Sequence, residues 1–180
     1  RIDKSDKVEI PFAEQAPLCH RLLRAGDLPV TGDAVQGRIP LLANENLCIS
    51  VVRPHEPMKY WYRYAHGDEV IFIHEGTGVL DSQFGRLRYG PGDDVVIPTG
   101  VTWRMLPDND VAQRMLVVET AGGHIEPPKR YFNEFGQFLE SAPYSERDIR
   151  PPDELVTHDE AGEFEVRIKA RGQIACYHYR

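Results

Sequence analysis

The stretch GDDVVIPTGVTWRM, residues 92–105, decides the reading of the fold. Gly92 is followed by five residues and Pro98, then by one residue and Gly100, then by two residues and Trp103. Asp94 to Ile97 is a short β-rich run. Pro98-Thr99-Gly100 is a turn in which proline fixes φ and glycine tolerates a positive one, and a second β-rich run starts at Val101. A strand, a tight reversal and a strand in so short a space is the rhythm of an all-β protein.

The rhythm extends to both sides. LCISVVRP, KYWYRYA, EVIFIHEG, GVLDS, RLRYG, DVVIP, VTWRMLP and QRMLVVET, all between Leu47 and Thr120, are eight runs rich in β-branched and aromatic residues. Between them, EGTG, QFGR and YGPGD read as reversals built on glycine. No helical period alternates with the runs, so βαβ units are excluded and a sandwich or barrel of eight short strands is expected. In EVIFIHE, parity puts Ile71 and Ile73 on one face and His74 on the other.

Composition bounds the functional classes. The chain has 180 residues, enough for one sizeable core, with 41% hydrophobic and 27% charged residues. A net charge of -7 disfavours a nucleic-acid or anionic-membrane surface, because both require clustered Lys and Arg. No apolar run approaches the ~20 residues of a membrane-spanning helix, and a cytoplasmic, soluble protein is expected. Cys19, Cys48 and Cys176 are far apart in sequence and read as reduced thiols rather than a disulfide framework or zinc knuckle. There is no nucleophile elbow, phosphate-binding loop or dinucleotide fingerprint, and GPGDD is a turn.

Four segments follow from the pattern. Residues 1–45 lack any period and read as an irregular arm with at most one short helix near Pro17 to Arg24. Residues 46–121 form the barrel, residues 122–162 a linker, and residues 163–180 a β-hairpin turning at Ala170-Arg171-Gly172. The chain stops as that hairpin ends, so it reads as a fragment whose hairpin lacks its neighbours.

The spacing resembles the cupin pattern. Its first motif runs Gly, five residues, His, one residue, His, three or four residues, Glu, six residues, Gly; its second runs Gly, five residues, Pro, one residue, Gly, two residues, His. Glu69 and Gly76 match the end of the first, and Gly92, Pro98 and Gly100 match the second. The resemblance implies a cupin-type double-stranded β-helix, or jelly roll. It also implies four metal-ligand columns, which here hold Tyr62, Tyr64, Glu69 and Trp103. One carboxylate cannot hold a transition metal that requires two imidazoles beside it. No metal ligand and no catalytic residue is therefore assigned, and Tyr62, Tyr64, Glu69 and Trp103 become candidates for lining a pocket at the barrel mouth.

The text from about residue 40 onward resembles the homogentisate 1,2-dioxygenases more closely than cupins at large. The resemblance is carried by YRYAHGDEVIFIHEGTGVLDSQFGRLRYGPGDDVVIPTGVTWRM, GHIEPPKRYFNEFGQFLESAPYSERDIRPPDEL and EFEVRIKARGQIACYHY. It implies a two-barrel, homo-oligomeric enzyme in which Fe(II), an aromatic acid substrate and O2 meet in the C-terminal half. This chain would supply the metal-free N-terminal barrel, the linker and the start of the crossing. Two other readings stay open: a metal-free cupin binding or assembly module for a small molecule, and a different metal enzyme using His66, His74 and Glu69. The remaining histidines, His20, His55, His124, His158 and His178, are separated in sequence and read as surface or hydrogen-bonded residues.

Overall fold

The computed structural model describes residues 2–8, 10, 20–156 and 160–180. Cys19 and His158 lie outside the described residues. The arm contributes β1 (Ile2–Lys7) and β2 (Ile39–Ala43). All eight runs expected of the barrel are strands: β3 (Leu47–Val52), β4 (Trp61–Tyr64), β5 (Glu69–Glu75), β6 (Gly78–Ser82), β7 (Gly85–Tyr89), β8 (Asp94–Ile97), β9 (Thr102–Pro107) and β10 (Arg114–Thr120). The C-terminal hairpin is β11 (Phe164–Ala170) and β12 (Gln173–Tyr179).

Two sheets result, one in the order β1-β12-β11-β4-β9-β6-β7 and the other β2-β3-β10-β5-β8. Leaving aside arm and hairpin, β4-β9-β6-β7 faces β3-β10-β5-β8, and successive strands alternate between the sheets except at the β6-β7 hairpin. That order is the eight-stranded jelly roll of the cupin type. Tyr62, Leu80, Tyr89, Trp103 and Met105 from one sheet close a single core with Val52, Ile71, Ile73, Val95, Ile97, Met115 and Val117 from the other. The period of two expected in β5 is realised, with Glu69, Ile71 and Ile73 buried and His74 exposed.

Two glycines of the motif frame are required by the backbone. Gly76 has φ +102°, and a Cβ there would come within 2.2 Å of the Gln113 side chain; Gly92 turns the chain into β8 at φ +91°.

The ends of the chain differ from expectation. The described residues 20–24 are not helical, and among the described residues of the arm a 3-10 turn forms at Ala25–Asp27. The hairpin does not stand without neighbours. The linker returns the chain beside β4, where β11 pairs with it in parallel from Val166↔Trp61 to Lys169↔Tyr64, and β1 of the arm pairs with β12 on the far side. The turn is also tighter than a three-residue loop. Ala170 pairs with Gln173, leaving only Arg171 and Gly172 at φ +49° and +72°, a two-residue turn of the twist that suits a hairpin.

Candidate functional site

The four candidate residues converge. Tyr62 and Trp103 are cross-strand partners on β4 and β9, with rings edge-to-face at a centroid separation of 5.3 Å and an interplanar angle of 80°. On the opposite sheet Glu69 of β5 lies directly across from Glu119 of β10. All of these side chains point between the sheets. Tyr62, Glu69 and Trp103 are 0% exposed, Glu119 4% and Tyr64 8%.

Two carboxylates directly opposite each other repel, and burial raises the cost. The sequence resolves this with Arg38, which enters from the arm immediately before β2. Its Nη1 lies 2.7 Å from Glu69 Oε1 and 3.1 Å from Glu119 Oε1. The guanidinium carbon is 5.6 Å from the Tyr62 ring centroid and 6.0 Å from that of Trp103, within cation-π range. Trp103 Nε1 donates to Glu69 Oε2 at 3.1 Å. From the hairpin, Lys169 Nζ donates to Glu119 Oε1 at 2.5 Å and lies 5.4 Å from the Tyr64 ring centroid. Tyr64 in turn donates to the Thr120 carbonyl at 2.7 Å. Arm, barrel and hairpin thus meet in one buried cluster of two cations and two carboxylates.

The electrostatics follow from these contacts. Burial by itself would lower the Arg38 pKa, but Glu69 and Glu119 outweigh it and raise it, so the guanidinium stays charged. Burial pushes Glu69 up against the pull of Arg38, whereas Glu119, shared by Arg38 and Lys169, is drawn down despite its burial. Burial raises Tyr62 well above its ordinary value, and burial with Glu119 pushes Tyr64 up to about 12. Both phenols are therefore protonated at neutral pH. Among the described residues, the Tyr62 hydroxyl and Arg38 Nη2 are buried polar atoms without a hydrogen-bond partner.

The donor set does not fit iron. Aromatic rings occupy the imidazole columns, and both oxygens of Glu69 are engaged, one by a guanidinium and one by an indole. His66 and His74 do not complete a site with Glu69, because both are exposed while Glu69 is enclosed.

The neighbouring carboxylates are structural as well. Burial opposes ionisation of Asp68, but it accepts from the Ile125 amide at 2.8 Å and from Thr99 Oγ1 and N at 2.7 and 2.8 Å, and its pKa is lowered. Asp81, on the same sheet as Trp103, is clamped by Arg86 and Arg104 and is lowered in the same way against burial. Of the histidines, His124 lies 3.4 Å from Asp68 and His55 3.2 Å from Glu56. Among the described residues, Cys48 and Cys176 are not joined in a disulfide.

Arg38, Glu119 and Lys169 were not singled out by the sequence reading. The signal for Glu119 lay in parity. Glu119 shares the inward face of β10 with Met115 and Val117, as Glu69 shares that of β5 with Ile71 and Ile73. Two inward carboxylates demand cations from elsewhere in the chain.

Strand order and interior together define a cupin-type barrel with aromatic rings and an Arg38–Glu69–Glu119–Lys169 cluster between its sheets. No family model matches the chain. It is 36% identical over 151 residues to a protein of Saccharolobus solfataricus named "Putative dioxygenase", an alignment that takes in 83% of this chain and 38% of that protein. The chain thus spans well under half the length of that relative. Among solved structures, a "putative mannose-6-phosphate isomerase" of Ralstonia eutropha is similar at 22% identity, covering 58% of this chain and 99% of that one with a TM-score of 0.46. A cupin protein of Bacteroides fragilis is similar at 17% identity, covering 59% and 92% with a TM-score of 0.44. No helix among the described residues is long and apolar enough to cross a membrane.

Proposed function

We propose that this chain is the N-terminal barrel, linker and crossing hairpin of a homogentisate 1,2-dioxygenase-type enzyme, a homo-oligomeric non-haem iron oxygenase that opens the ring of an aromatic acid with O2, and that its own role is structural. The reading is supported by the resemblance of the barrel, linker and hairpin text, by the dioxygenase name of the Saccharolobus relative, and by the share of that relative's length the chain covers. The single observation that carries the structural role is the Arg38 guanidinium between Glu69 and Glu119, behind Tyr62 and Trp103, where a working barrel of this type needs imidazoles. Iron, substrate and O2 are then handled by residues outside this chain. What this chain does is hold a rigid, ion-paired support to which the linker and hairpin are tied.

The test uses the whole protein encoded by the reading frame, loaded with Fe(II), with oxygen uptake followed on homogentisate and on a panel of other hydroxylated aromatic acids. The expected result is iron-dependent uptake whose kcat and iron content are unchanged in Tyr62→Phe. Absence of uptake with every such acid would overturn the enzyme assignment, and loss of iron on Tyr62→Phe would overturn the structural role.

A further inference from the structure

The hairpin carries a second cluster that the barrel chemistry does not use. In β11 and β12, Glu165 pairs directly with His178 and Arg167 with Cys176. Paired residues, and residues two apart, share a face of a sheet, so Glu165, Cys176 and His178 project from the same side. One carboxylate oxygen, the thiol sulfur and one imidazole nitrogen all lie within 4.8 Å of one another, and this is the group of three donor residues so placed among the described residues.

We propose that Glu165, Cys176 and His178 form a binding site for a divalent ion of the zinc class. Zinc bonds of about 2.0–2.3 Å in a tetrahedron put ligand atoms roughly 3.5 Å apart. The strand register sets the three Cα positions, and the donor atoms, now within 4.8 Å of one another, would close to that spacing on binding. The ligand types agree with the ion: a thiolate, an imidazole and a carboxylate are the borderline-soft mixture that zinc accepts and that magnesium and calcium do not. The thiolate and carboxylate face the dication, with the Arg167 guanidinium on the same carboxylate leaving one positive charge over, and the thiol proton passes to solvent on binding.

The surroundings orient the carboxylate. Arg167 Nε donates to Glu165 Oε1 at 2.5 Å, and the Arg167 guanidinium is itself held 3.7 Å from the Tyr60 ring centroid. One oxygen of Glu165 is thereby held by an outer partner, and the Cys176 thiol hydrogen-bonds the same carboxylate, a contact that an ion would replace as the thiol gives up its proton. Glu165 and Cys176 are half-buried and His178 is exposed. A fourth coordination position therefore opens to water, and the ion would link the two strands at the end of the hairpin away from its turn. This inference does not depend on the proposed function.

Titration of the metal-stripped chain with Co(II) and then Zn(II) tests the site. The expected result is one equivalent of Co(II) with a near-ultraviolet thiolate-to-cobalt charge-transfer band, abolished by Zn(II) and absent in Cys176→Ser. The band persists in the double variant Cys19→Ser/Cys48→Ser. His178→Gln, at an exposed position that leaves the fold intact, weakens Co(II) binding at least about tenfold, the smallest loss expected even from an outer partner of a ligand. Absence of the band in the unaltered chain, or an unchanged Co(II) affinity in His178→Gln with an unchanged urea midpoint, would overturn the proposal.

Discussion

The barrel interior and the inner face of the hairpin are built from similar side chains to opposite ends. In the barrel, Glu69 and Glu119 are enclosed with aromatic rings and find their cations in Arg38 and Lys169 of the same chain. On the hairpin, Glu165 lies beside a thiol and an imidazole at the edge of solvent, and only one of its oxygens is taken by Arg167. The positions that carry the cupin spacing lack the donors of a metal site, and a place outside that spacing has a donor set that fits one. Capacity for a metal follows donor type and access, not place in the fold.

The largest effect that could break this contrast is expected of Arg38→Met. It leaves Glu69 without its cation inside the barrel and should cost about 3–5 kcal/mol, the range for removing one member of a buried pair, read from the shift of the urea midpoint at constant slope. Trp103→His comes next, at about 3 kcal/mol, because it opens a cavity beside Tyr62 and removes the donor to Glu69 Oε2. It should bind no metal at the barrel, because Tyr62 and Tyr64 remain; dialysed protein carrying a metal that the unaltered chain lacks would contradict this. Lys169→Met should cost about 1.5–3 kcal/mol as a lost charged hydrogen bond. Its distinguishing mark is hydrogen exchange, which should quicken in β11 more than in β5, since Lys169 ties the hairpin to Glu119. At the small end, His178→Gln should move the urea midpoint by less than ~0.5 kcal/mol equivalent, as for other exposed positions. A loss as large as that of Lys169→Met would make the hairpin face part of the core and erase the contrast.

Much of this was legible in the sequence where local rules govern. The eight barrel runs are strands because alternation and glycine-proline punctuation act over a few residues, and the aromatic replacement of the ligand columns follows from counting back from Glu69 and forward from Gly92. What was not legible depends on long-range pairing. Arg38 sits in an arm without period, and nothing near it in the sequence says that its side chain will meet Glu69, which is 31 positions away. The parallel pairing of β11 with β4 is equally hidden, because the linker of residues 122–162 carries no signal of where it returns. For the same reason the hairpin could be recognised but its neighbours could not. The hairpin cluster was missed because Glu165, Cys176 and His178 are separated in sequence and become neighbours only through the register Glu165↔His178.

The central claim, that Arg38 serves as the internal cation of the barrel, is tested most directly by a double-mutant cycle of Arg38→Met and Glu69→Gln followed by urea midpoints. Removing the guanidinium alone strands a buried carboxylate. Removing the charge of Glu69 as well takes that penalty away, while the amide oxygen introduced by Glu69→Gln can still accept from Trp103. The account predicts that the double variant is more stable than Arg38→Met alone, with a coupling energy above about 1 kcal/mol. Losses that simply add, leaving the double variant the least stable of the set, would contradict it.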